Sequence, residues 1–175
     1  RLDHMTEDDF YRMINKSEPS FIRTEADELT YCLHIMVRYE LEKRMFDGSL
    51  TAHDLPAEWN RLYKEYLGID VPDDRQGVLQ DSHWANGNIG YFPSYAIGSA
   101  YGAQYLQEMS KDLDVDAVVR SGDLTPINNW LEDRIWKHGC MKDPVALFES
   151  VCGKFDPDCY VAYLEKKFTE VYGLS

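Results

Sequence analysis

Eight residues from Gly77 to Trp84, Gly77-Val78-Leu79-Gln80-Asp81-Ser82-His83-Trp84, place an amide, a carboxylate, an imidazole and an indole side by side. Polar groups gathered next to glycine are the chemistry of a binding or catalytic loop. The imidazole of His83 can donate to a developing oxyanion, while Gln80 and Asp81 can orient it or line a pocket. The same His-Trp neighbours also make an ordinary hydrogen-bonded structural pair, and the stretch alone leaves both readings open. Just beyond it, Gly87, Gly90, Tyr91, Phe92, Pro93, Ser94, Tyr95 and Gly98 form a glycine- and tyrosine-rich turn leading into a helix. Tyr91 and Tyr95 are four apart, so their phenols can face the same way, as hydrogen-bond donors or as packing groups.

A second group lies upstream. Arg23, Asp27, Tyr31 and His34 follow one another at spacings of four, four and three. On a helix they form one polar stripe, in which Asp27 holds Arg23. A guanidinium so held can grip a carboxylate with two parallel hydrogen bonds, which a lysine cannot reproduce. The alternative is a solvated face with a surface ion pair.

Taken together and in this order, Ile22-Arg23-Thr24-Glu25-Ala26-Asp27 and the Gly77 to Trp84 stretch resemble the carboxypeptidase Taq family of thermostable zinc metallocarboxypeptidases. The family patterns, Ile/Val-Arg-x-x-Ala-Asp and Gly-x-x-Gln-Asp-x-His-Trp, are met at every fixed position. The likeness continues through Asn129-Trp130-Leu131, His138-Gly139, Tyr163-Leu164-Glu165-Lys166-Lys167 and Tyr172-Gly173. It implies an all-α, cleft-shaped enzyme that removes single residues from peptides with a free C-terminus. Arg23, Asp27, Gln80 and Asp81 would then bind substrate. His83, Tyr91 and Tyr95 would be catalytic, similar in order to the histidine and tyrosines that polarise the scissile carbonyl in zinc peptidases of the thimet and angiotensin-converting type. The resemblance also implies a homodimer.

The zinc motif of the family is missing. The histidines are His4, His34, His53, His83 and His138; no two are four apart, and none precedes a glutamate. A helical pair of imidazoles on one face is therefore ruled out. We expect no metal ligands in this chain, and we expect it to be the C-terminal part of a longer enzyme whose upstream part carries zinc. Alone it should be inactive, and it should self-associate or hold its complementary part through uncovered apolar faces. The rival reading is a helical binding or scaffold module, or a pseudoenzyme.

Composition narrows the remaining choices. A chain of 175 residues with 44% apolar content can build a real core, and we expect residues 1–175 to form a single region. Its net charge of −13 disfavours nucleic acid and anionic membranes as partners. No apolar run approaches the length of a membrane span, and no leader pattern is present. Cys32, Cys140, Cys152 and Cys159 lack Cys-x-x-Cys spacing and read as mostly buried thiols in a reducing, cytoplasmic setting, with a Cys152–Cys159 pair across Gly153 as the alternative.

Prolines at helix starts (Pro56, Pro126, Pro144, Pro157) and glycines at helix ends (Gly48, Gly68, Gly139, Gly153, Gly173) predict the elements that position these groups. Helices are expected near 7–14, with Thr6 and Asp9 capping each other, then 21–46, 56–67, 93–112, 115–120, 126–138, 144–152 and 157–172. Gly77 to Leu79 is the one candidate for an extended segment. Trp59, Trp130 and Trp136 read as core, Met36, Met45 and Met109 as gap-fillers, His4 and His53 as surface residues, and His138 as a helix-terminal one.

Overall fold

A computed structural model describes residues 4–174. Among them are eight α-helices and no strand: α1 (Glu7–Ile14), α2 (Tyr31–Phe46), α3 (Leu55–Leu67), α4 (Pro93–Met109), α5 (Val115–Ser121), α6 (Thr125–Arg134), α7 (Pro144–Cys152) and α8 (Asp158–Tyr172). The all-α expectation holds. Local chemistry accounts for most boundaries. Thr6 Oγ1 accepts from the Asp9 amide at 3.1 Å while the Asp9 carboxylate accepts from the Thr6 amide at 3.1 Å, so α1 opens on a reciprocal capping box. Asp143 accepts from the Val145 and Ala146 amides ahead of α7, and Gly68 closes α3 at φ 73°.

Three expectations need correction. The helix expected over 21–46 begins only at Tyr31, and Arg23–Glu25 is a separate 3-10 turn. The cause is Asp27, whose carboxylate accepts from the Leu29 amide (2.9 Å), the Thr30 amide (3.0 Å) and the Thr30 hydroxyl (2.9 Å). A short carboxylate that captures the amides ahead of it favours a cap over a helix interior. Next, the helix expected to reach His138 stops at Arg134 and continues as a 3-10 turn, Trp136–Met141, with Gly139 at φ 49°. Trp136 therefore lies beyond the end of α6 and is 51% exposed rather than core. Finally, Val78–Gln80 is a 3-10 turn, not an extended segment.

The described residues fall into two compact units. The first runs to Ile97 and resumes at Lys166; the second is Gly98–Glu165. The boundaries fall inside α4 and α8, so no linker or shift in composition marks them in the sequence.

In the first unit α2 packs on α3 around Val37, Leu41, Leu50, Trp59, Leu62, Tyr63 and Leu67, with Leu33, Met45, Val78 and Trp84 against them. The end of α8 closes this unit: Arg12 donates to the Val171 carbonyl at 3.0 Å, and the Tyr172 hydroxyl accepts from the Ser17 amide at 2.7 Å. The second unit centres on Tyr101, Tyr105, Phe148 and Phe155, with Tyr101 stacked on Phe148 at 3.9 Å. Gln104, buried, donates to the Cys152 and Lys154 carbonyls (3.3 and 3.0 Å) and accepts from the Asp156 amide (3.0 Å), stitching the α7–α8 connection. Trp130 is buried as expected, its indole donating to Asp112 at 2.8 Å.

None of the four cysteines forms a disulfide, which removes the Cys152–Cys159 alternative; Cys140 is exposed and the others half-buried, so they are less enclosed than expected. Met36 is likewise exposed and fills no gap, whereas Met109 is buried. No helix among the described residues is long and apolar enough to cross a membrane.

Candidate active site

The site lies in the first unit and is organised by Asp81. Its side chain, 7% exposed, receives two guanidiniums: Arg23 donates through Nε (3.2 Å) and Nη2 (2.9 Å) to Oδ1, and Arg38 donates to Oδ2. Burial alone would raise the Asp81 carboxyl, but the charges and hydrogen bonds of Arg38 and Arg23 outweigh it and hold the group below the usual carboxylate range. Arg23 also donates to the Tyr31 hydroxyl at 3.2 Å, and its guanidinium lies 5.0 Å from the Tyr95 ring centre. The expected Arg23–Asp27 pair is therefore corrected: Arg23 sits outside α2, where four-residue spacing no longer implies adjacency, and its partner comes from 58 residues away. Asp27 instead holds the turn before α2, accepting also from the Ser17 hydroxyl and the Glu18 amide, both at 2.9 Å.

A polar stripe does run along α2, one turn further on than the spacing suggested. His34, Arg38 and Glu42 are buried at intervals of four residues among Ile35, Val37 and Leu41. Arg38 is fully enclosed; it donates to the His34 carbonyl at 2.8 Å, and its guanidinium lies 4.6 Å from the Trp59 ring centre. Tyr63 of α3 donates to the Phe21 carbonyl at 3.2 Å and lies 3.1 Å from His34 Nδ1. With the Tyr63 proton directed to Phe21, His34 is the donor in that contact. Burial, reinforced by the nearby Arg38 and Arg23 charges, pushes His34 down to about 4, so it is neutral at physiological pH. The sequence reading missed Arg38, Glu42 and Tyr63. The available signal was three polar residues in one i, i+4, i+8 row on an otherwise apolar helix face.

His83 follows from the fold of its own loop. Its Nδ1 lies 3.5 Å from Asp81 Oδ1, without a close hydrogen bond, and its Nε2 lies 3.2 Å from the Tyr95 hydroxyl. Tyr91 stacks on the imidazole at 6.0 Å and is exposed, while buried Phe92 supports it at 4.7 Å. Glu42 fixes the loop from beneath: its Oε1 accepts from the Trp84 indole (2.8 Å) and the Gly90 amide (3.1 Å). Two glycines make the path feasible. Gly90 has φ 72°, and a Cβ on Gly77 would meet Val71 Cγ1 at 2.9 Å and the Asp73 carbonyl at 3.0 Å. Gln80 turns away to the Arg75 carbonyl. The structure thus brings together Arg23, Asp81, His83, Tyr91 and Tyr95, and directs Asp27 and Gln80 to backbone support.

This cluster does not fit a metal ion. Its carboxylate is saturated by two guanidiniums, and among the described residues no group of three or more His, Cys, Asp or Glu side chains is placed to hold one. What it presents is positive charge beside an imidazole and phenols, an arrangement suited to an anionic substrate group next to a carbonyl.

The chain belongs to the carboxypeptidase Taq (M32) metallopeptidase family, whose model matches residues 1–168. It is 47% identical over 167 residues to carboxypeptidase 1 of Bacillus subtilis, covering 94% of this chain and 33% of that protein. Thermostable carboxypeptidase 1 of Thermus thermophilus is 42% identical over 175 residues, covering 98% of this chain and 34% of its own length. The crystal structure of the M32 carboxypeptidase from Deinococcus radiodurans superposes with a TM-score of 0.95 at 37% identity, covering 99% of this chain and 35% of that one. The chain spans about a third of the length of the curated relatives it matches.

Proposed function

We propose that this chain forms the substrate-carboxylate and carbonyl-polarising side of a zinc carboxypeptidase that releases single residues from peptides with a free C-terminus. The observation that carries the reading is the contact of His83 Nε2 with the Tyr95 hydroxyl at 3.2 Å, next to the Arg23 guanidinium. Arg23 directs three of its five N–H groups to Asp81 and Tyr31, and the remaining two are the donors for a terminal carboxylate. Tyr95 donates to the oxygen of the scissile carbonyl as it gains charge, and His83, whose Nε2 meets the Tyr95 hydroxyl, orients that phenol. Exposed Tyr91 contacts the substrate backbone. Asp27 and Gln80 serve binding indirectly, by holding the Arg23 turn and the Arg75–Gln80 loop.

No ligand set for zinc exists among the described residues, so we assign the metal, and the water activation it provides, to the part of the enzyme that this chain does not span. By itself the chain is then inactive. The homodimer implied by the resemblance and the cytoplasmic setting read from the cysteine pattern remain part of the proposal.

In the enzyme carrying this chain, Tyr95→Phe and His83→Ala should each slow turnover of a free-acid dipeptide about a hundredfold, the usual effect of losing one transition-state donor. Unchanged kcat in both variants would remove the assignment.

A further inference from the structure

We infer that Arg38 is a positioning residue that sets the charge of the recognition site: by sharing Asp81 with Arg23, it leaves the cluster one positive charge in excess, and that excess lets Arg23 select a carboxylate. The inference rests on the reading that Arg23 meets the substrate's terminal carboxylate. Arg38 itself touches no ligand, being fully buried between Trp59, Phe92 and the His34 carbonyl.

The charge count follows from the contacts. A one-to-one pair of Arg23 with Asp81 would fix the guanidinium but neutralise it, and an incoming anion would compete with Asp81 for the same donors. Arg23 alone would keep its charge and lose its orientation. Two guanidiniums on one carboxylate give both, because Oδ1 takes Arg23 and Oδ2 takes Arg38. Within the contact shell of the two guanidiniums the count is not changed by a second carboxylate. His34 is neutral at physiological pH. Glu42, one turn along α2, and Asp27 keep their negative charges but accept their hydrogen bonds from the Trp84 indole and the Gly90, Glu18 and Thr30 amides, so neither pairs with Arg23 or Arg38, which both bind Asp81. Burial amplifies the effect, since a charge in a partly desolvated site is poorly screened.

The test is equilibrium binding of N-acetyl-phenylalanine and of its amide to the enzyme carrying this chain, with melting temperature recorded for each variant. The parent should prefer the acid. Arg38→Gln should weaken the acid by roughly 30-fold and leave the amide unchanged, the effect of removing a unit charge roughly 8 Å away at an effective permittivity of about 20. Arg38→Gln combined with Asp81→Asn restores the count to plus one and should recover acid binding to within about threefold, even if stability falls further. Arg38→Lys keeps the charge and should also stay within about threefold, which serves as the test if Arg38→Gln does not fold. A parent that prefers the acid while Arg38→Gln binds it unchanged, or a double variant that stays as weak as the single one, overturns the inference alone. A parent that binds acid and amide equally overturns the carboxylate reading, and the inference with it.

Discussion

Each of the two units is stitched by one buried polar side chain, and the two stitches differ in kind. In Gly98–Glu165, Gln104 joins three backbone groups of the α7–α8 connection with neutral hydrogen bonds. In the other unit Asp81 joins the Arg23 turn, α2 and the His83 loop through charge. A neutral amide suffices for holding segments together. Burying three charges costs desolvation that an apolar or amide substitute avoids, so an ionic stitch is weak support for stability and points to function instead. It also makes its unit the more sensitive to perturbation.

The sharpest way to break this comparison is to remove each stitch. Asp81→Ala leaves two guanidiniums buried without a counter-charge and should destabilise by about 3–5 kcal/mol in urea unfolding. Gln104→Ala strands only neutral groups and should cost about 1–3 kcal/mol. Equal losses would mean that charge plays no special part in the Asp81 site.

Acid should separate the units next. His34 has its folded-state value lowered to about 4 from 6.5, so between those values the unfolded chain binds the proton that the folded chain excludes. Stability contributed by neutral His34 is thus complete above pH 6.5 and is lost as pH falls toward 4, by roughly 3 kcal/mol in total. Asp81 and Asp27, both held below the usual carboxylate range, add to acid sensitivity only at still lower pH. Urea unfolding at pH 7 and pH 4.5 should show this slope, and His34→Gln should flatten it. An unchanged slope in that variant would mean the buried imidazole is not its source.

These contrasts also explain what was legible in the sequence. Local rules were enough for α1, α3, α5 and α7, where Thr6, Gly68, Asp114 and Asp143 act within a turn of the boundary they set. His83 and Tyr95 are 12 residues apart, one on its loop and the other in the first turn of α4, so their juxtaposition was within reach of spacing and resemblance. The Asp81 hub was not, because its partners lie 58 and 43 residues away and periodicity is blind to such pairs. Arg23, Asp27 and Tyr31 even carry helical spacing, and only the capping preference of Asp27 shows why that spacing is not realised. Trp136 failed because α6 ends at Arg134, and a residue in the 3-10 turn beyond it no longer follows the helical period that the expectation used.

Glu42 offers the finest test, because it is a charged group doing what Gln104 does with neutral bonds. Its Oε1 receives the Trp84 indole and the Gly90 amide, and neither arginine. Glu42→Gln keeps an acceptor of the same shape and removes the charge, so two charge-assisted hydrogen bonds become neutral ones. The expected loss is about 1 kcal/mol, well below that of Asp81→Ala. The Trp84 indole resonance should shift in NMR, and acid binding at Arg23 should hold or tighten, since Glu42 pairs with neither guanidinium and its loss removes only a nearby negative charge. If acid binding instead weakens in Glu42→Gln, the Glu42 bonds to the loop also position Arg23, and the line drawn between holding the loop and tuning the cluster must move to include it.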